Sequence, residues 1–94
     1  MISEIQNRAL HRAKILEGQM RGLQKMIEKE DYCIDILTQS LAVQKSLGSL
    51  NKLILENHLK TCAPKKLNSS AETEREHAIQ EMLELYELSN IKGK

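Results

Sequence analysis

A length of 94 residues leaves room for one domain at most, and with no Phe or Trp and only two Tyr a single copy has little bulk to bury. The net charge of +1 hides a basic first third, because residues 1–30 hold six Lys or Arg against four Asp or Glu; that permits contact with nucleic acid without requiring it. The chain has no run of 18 apolar residues and no legible signal peptide, so it reads as soluble and cytoplasmic, where two cysteines are thiols or ligands rather than a structural disulfide.

Helical spacing governs the whole chain. Ile5, Ala9, Leu16, Met20, Leu23 and Ile27 recur at threes, fours and one double step and predict a first helix over about 3–28. "KEDY" interrupts it, and Asp31 is the expected N-cap of a second helix. That helix is predicted to run from 31 to 62, with Ile34, Leu37, Leu41, Leu47, Leu50 and Ile54 on one face and Val43, Leu55 and Leu59 widening it. Its rhythm continues through Gly48, where flanking Leu burial can offset a cost of about 1 kcal/mol relative to Ala. Pro64 is expected to stop it and "PKKLNSS" to form a loop. Ser69 and Glu72 have capping-box spacing, so a third helix is predicted over 70–89, carrying Ala78, Ile79, Met82, Leu83, Tyr86 and Leu88; residues 90–94 read as a tail. The expectation is an all-α, single-domain protomer of three helices with one long central helix. Leu, Ile and Met are plentiful enough that a lone copy would leave apolar surface for another to cover.

The chemistry concentrates in "NHLKTC". His58 and Cys62 sit at i and i+4, on one helical face, where both can clasp a single ion. Cys33 lies 25 residues upstream of His58, roughly 37 Å along a straight helix. An antiparallel two-fold partner would bring Cys33 of one copy beside His58 and Cys62 of the other, and would do so twice. Two sulfurs and one nitrogen suit Cu(I) or zinc far better than Mg²⁺ or Ca²⁺. The bland alternative is a pair of buried cysteines acting as small hydrophobes and a histidine beside a helix C-terminus.

"HRAKILEGQMRGLQKMI", "DYCIDILTQSLAVQKSL" and "LENHLKTC" together resemble the copper-sensitive operon repressor (CsoR/RcnR) family of bacterial regulators, over roughly residues 8–62 and more weakly beyond. The resemblance implies three-helix protomers that pair as antiparallel four-helix-bundle dimers and then as dimers of dimers. They bind operator DNA when metal-free and release it on binding the effector. It implies Cu(I) as effector, without an organic cofactor, on Cys33, His58 and Cys62. Nickel and cobalt sensors add an N-terminal nitrogen ligand at the position Met1 holds here, and persulfide sensors lack the histidine. It further implies that Tyr32 and a third-helix glutamate couple to the metal-bound histidine. Glu76 is the expected partner, with Glu74 and Glu81 as competitors. For DNA it implies Arg12 as a phosphate contact, supported by Arg8, Lys14, Arg21 and Gln19 on the first helix and by Lys45 or Lys52 on the second. Each of these cations could equally be an ordinary surface charge. His11 belongs with that basic surface, and His77 is expected to be exposed and without a role. No Gly-rich phosphate loop and no nucleophile beside a base suggests an enzyme. The competing readings are a thiol- or persulfide-responsive repressor, a nickel, cobalt or zinc sensor, and a metal-buffering helical protein that never meets DNA.

Overall fold

The computed structural model describes residues 1–89 and is all-α, with no strand among those residues. Three helices dominate: α1 (Ser3–Glu28), α2 (Cys33–Lys60) and α4 (Glu72–Ser89). A fourth segment, α3 (Cys62–Leu67), is only 6 residues long. α1 matches the range its spacing predicts, and α2, at 28 residues, passes through Gly48 without a break. A methyl group added at Gly48 would meet nothing within 4 Å, so the glycine answers to no close approach there.

The chain divides into two compact units, Met1–Asn57 and a second that begins at His58. In the first unit α1 and the greater part of α2 form an antiparallel hairpin. The Ile2 N–H donates to Asn57 Oδ1 at 2.9 Å, Ile5 and Ala9 pack with Leu53 and Leu50, and Gln39 Nε2 donates to the Gln19 carbonyl at 3.2 Å. Along these contacts one number rises as the other falls. The α1 positions that lose exposure are Ile5, Ala9, Arg12, Leu16, Gln19, Gly22, Leu23 and Met26; apart from Gly22 they alternate steps of four and three, the 3.5-residue repeat of a helix–helix seam. The seam therefore holds Arg12 and Gln19, while Met20 and Ile27, expected on the packed face, are exposed.

The turn between α1 and α2 is a Schellman motif. Asp31 N–H bonds the Met26 carbonyl and Glu30 N–H the Ile27 carbonyl, both at 3.0 Å. Glu30 takes the left-handed conformation, φ 54°, that such a turn demands. Asp31 is not the cap of α2. The Tyr32 carbonyl accepts the first bonds of that helix, from the N–H groups of Asp35 and Ile36, and Asp31 instead faces Lys29 at 3.9 Å.

In the second unit the expected loop is helical from Pro64 through Leu67 and non-helical over 68–71. Pro64 is the third residue of α3, within the first turn, where its missing N–H has no intrahelical partner to lose and its fixed φ suits the helix. α3 packs on α4. Ser69 does not box with Glu72. Its hydroxyl bonds Glu74 and accepts from the Ala71 N–H, and α4 opens when Arg75 N–H reaches the Ala71 carbonyl. The predicted tail, 90–94, lies outside the described residues.

The buried core of a single copy is small. Among the described residues Ile5, Ala9, Leu53, Ala63, Ala78 and Asn57 are buried, and no large side chain is fully enclosed. On α2, Leu37 and Leu41 remain 56% and 63% exposed. With Gly48 and Leu55 they follow heptad steps on the side of the helix turned from the α1 seam.

Candidate functional site

Three groups of side chains carry chemistry. The first is the thiol and imidazole set. Cys33 opens α2 and its thiol is free and exposed. Tyr32, just before it, is 69% exposed. His58 lies near the far end of α2 and is half-buried. Their separation of 25 residues is about 20° short of seven full turns, so both leave α2 on nearly the same face. Cys62, also free and exposed, begins α3 rather than ending α2. Between His58 and Cys62 stands Thr61, at φ −119° and ψ −73°, whose N–H reaches the His58 carbonyl three residues back at 3.3 Å. The Thr61 hydroxyl donates to Cys62 Sγ at 3.6 Å. The i, i+4 spacing of His58 and Cys62 thus spans an interruption in the helix. Among the described residues of one chain, no group of three or more His, Cys, Asp or Glu converges as a metal site.

The second group ties α3 to α4. Lys66 Nζ donates to Glu81 Oε1 at 3.2 Å and meets His77 Nδ1 at 3.1 Å, an arrangement that places the ring proton of a neutral His77 on Nε2. The Lys66 hydrogen bond holds the Glu81 carboxyl below its ordinary range; partial burial opposes this, and the charge of Lys66 reinforces it, with smaller help from the neighbouring His77 and His58. The influence of His58 is the smallest of these. Glu76 instead lines an open hollow with Glu72, Thr73, His77 and Gln80, and Glu74 is engaged by Ser69. His77 is exposed as expected but is partnered. No sequence spacing announces Lys66 and Glu81, which are 15 residues apart.

The third group is basic. Arg12, Gln19 and Lys45 line one groove of about 330 Å³ between α1 and α2, together with Ile15, Ala42, Ser46 and Ser49. A neighbouring hollow holds Asn7, Arg8, His11, Arg12 and Ile15. Lys14 and Lys52 are exposed and outside both. Arg21 is also outside and lies 4.0 Å from Glu17 one turn back. Gln19 Oε1 is buried without a hydrogen-bond partner among the described residues. Ser46 and Ser49 were not expected here; at i and i+3 they interrupt an otherwise apolar face, which is the signal that could have marked them.

The sequence of residues 5–88 matches the family described as metal-sensitive transcriptional repressor. This chain belongs to that family. Among its relatives, the copper-sensing transcriptional repressor CsoR of Bacillus subtilis (strain 168) is 36% identical over 84 residues, 89% of this chain and 80% of that protein. The same-named repressor of Mycobacterium bovis (strain BCG / Pasteur 1173P2) is 44% identical over 54 residues, a stretch that spans 57% of this chain and 45% of the mycobacterial one. The solved structure of the copper-sensing repressor CsoR with Cu(I) from Geobacillus thermodenitrificans NG80-2 superposes with a TM-score of 0.77 at 36% identity, covering 94% of this chain and 88% of that one. The metal-sensitive repressor family match runs through all four helices, and no helix among the described residues is long and apolar enough to cross a membrane.

Proposed function

We propose that this chain is a Cu(I)-responsive transcriptional repressor of the cytoplasm. The metal-free assembly binds operator DNA, and Cu(I) binding lowers that affinity and derepresses copper-resistance genes. The donor chemistry fits the ion. Two free thiols and one imidazole form a soft, three-donor set of the kind that selects Cu(I) over hard cations. In this reading Cys33 of one protomer holds the ion with the partner's His58 and the partner's Cys62. The observation that carries it is the placement of Cys33 and His58 on one face of α2, about seven turns apart, with no three-donor cluster among the described residues of a single chain. Two copies of α2 lying head to tail bring the donors together twice, and the exposed Leu37 and Leu41 stripe supplies apolar surface for that pairing.

Tyr32 and an α4 carboxylate would hold the histidine's second ring nitrogen. Glu81 is better supported than Glu76 because its carboxyl lies in the field of His58. Arg8, Arg12, Lys14, Arg21, Gln19, Lys45 and Lys52 are the candidates for DNA contact. Metal and DNA are linked: the factor by which Cu(I) weakens DNA binding is the factor by which DNA weakens Cu(I) binding.

Mixed assemblies test the shared site. Cys33→Ala chains and His58→Ala chains should each fail to bind Cu(I) tightly in anaerobic titration against a competing chelator. Co-folded, they should regain one intact site per mixed dimer and with it Cu(I)-induced release of a promoter fragment. A single-variant chain that keeps full Cu(I) affinity would sink the shared site. The exposure of both thiols favours one alternative, a thiol-responsive repressor. In that case His58→Ala would leave oxidant- or persulfide-induced release intact and Cu(I) would have no effect on DNA binding.

A further inference from the structure

We infer that the groove lined by Arg12, Gln19, Lys45, Ser46 and Ser49 seats one backbone phosphate of bound DNA between cations contributed by two different helices. The inference rests on the DNA-binding reading above and names the place and the chemistry of one contact. Every polar side chain in the lining can donate a hydrogen bond, and none is a carboxylate. Arg12 offers a planar fork from α1, Lys45 a compact charge from α2, and Ser46 and Ser49 two hydroxyls within one turn of Lys45. That is a donor-rich concavity of charge +2 without a carboxylate, matched to a tetrahedral oxyanion.

The setting supports it. The adjoining hollow shares Arg12 and Ile15 and adds Arg8, His11 and Asn7, again without an acid, so the positive field extends along α1. Three cations elsewhere are answered by carboxylates: Arg21 faces Glu17, Lys29 faces Asp31 and Lys66 faces Glu81. Lys14 follows Arg12 by two positions and leaves α1 about 200° further round, so it cannot share this seat. Being concave, the groove receives the DNA backbone rather than entering a base-lined groove of the duplex, and contact of this kind fixes position without reading sequence.

Two cations on one phosphate leave a distinctive signature. Each neutralised phosphate contributes about 0.9 to the slope of log affinity against log salt. The experiment measures that slope by fluorescence anisotropy, using full-length protein and a fragment from its own promoter. It compares wild type, Arg12→Gln, Lys45→Gln, the double variant, and Lys25→Gln, an exposed cation outside both hollows and not among the DNA candidates, as a control. We expect each groove variant to lower the slope. The double variant should fall short of the sum of the singles, and the preference for promoter over scrambled DNA should stay constant. Lys45 is exposed, so its substitution does not threaten the fold, and Ser46→Ala should weaken binding in the same sequence-independent way. Full additivity would mean two separate phosphates, and an unchanged slope in Lys45→Gln would mean none; either overturns the inference while the repressor reading stands. A wild-type chain that binds no DNA at low salt would overturn both.

Discussion

The hairpin of α1 and α2 has a closed end and an open middle. At the closed end Ile5, Ala9, Leu50 and Leu53 pack together and Asn57 ties down the Ile2 N–H. In the middle, at positions of the same seam, stand Arg12, Gln19, Gln39 and Ser46, with a groove beside them and a buried amide oxygen that nothing satisfies. The heptad spacing is continuous through both regions; only the side chains change. The difference shows one seam serving two purposes. Apolar contact near α2's C-terminal end supplies stability, and polar residues further along give that up for an outward-facing surface rich in donors.

The strongest way to break this comparison is at the closed end. Leu53→Ala removes a side chain that is 4% exposed and should cost about 2–5 kcal/mol in urea unfolding. Asn57→Ala leaves the Ile2 N–H without its acceptor and should cost about 1–3 kcal/mol by the same measurement. In the middle the sign reverses. Gln19→Leu replaces an unsatisfied amide with an apolar side chain and should stabilise by about 1 kcal/mol, while weakening DNA binding; a loss of stability there would show that the polar seam is better packed than its open groove suggests. At the turn, Glu30→Gly relieves a left-handed L-residue and should gain at most about 1 kcal/mol in Tm-derived stability.

The smallest effect lies outside the hairpin, in the α3–α4 clasp. The Glu81 carboxyl is held below its ordinary value, so its contribution is present above the usual carboxylate range and is lost as pH falls through the lowered value. Hydrogen exchange of α4 amides should accelerate in that acidic window, and Lys66→Met should abolish the acid dependence.

Much of this was legible beforehand, and the misses have physical reasons. α1 could be read because no Gly turn or Pro interrupts its spacing before "KEDY". α3 is hidden in the sequence because Pro64 reads as a stop, although a first-turn proline loses no hydrogen bond. The capping box failed because Ser69 bonds Glu74 and Ala71, a turn that precedes the helix by two residues. Arg12 and Gln19 were found as candidates for DNA contact, but their place in the seam was not, since a seam is defined by what the second helix covers. The Lys66–Glu81 pair has no trace in the spacing because helical periodicity cannot say which carboxylate a lysine 15 residues away will draw in.

The interruption at Thr61 takes the spacing of the His58–Cys62 pair out of the hands of the helix. Two side chains four apart on an unbroken helix have a fixed bite, set by the repeat of the backbone. Here one pair of torsions, at φ −119° and ψ −73°, departs from that repeat between imidazole and thiol, so a single threonine helps to set how far apart the two side chains stand.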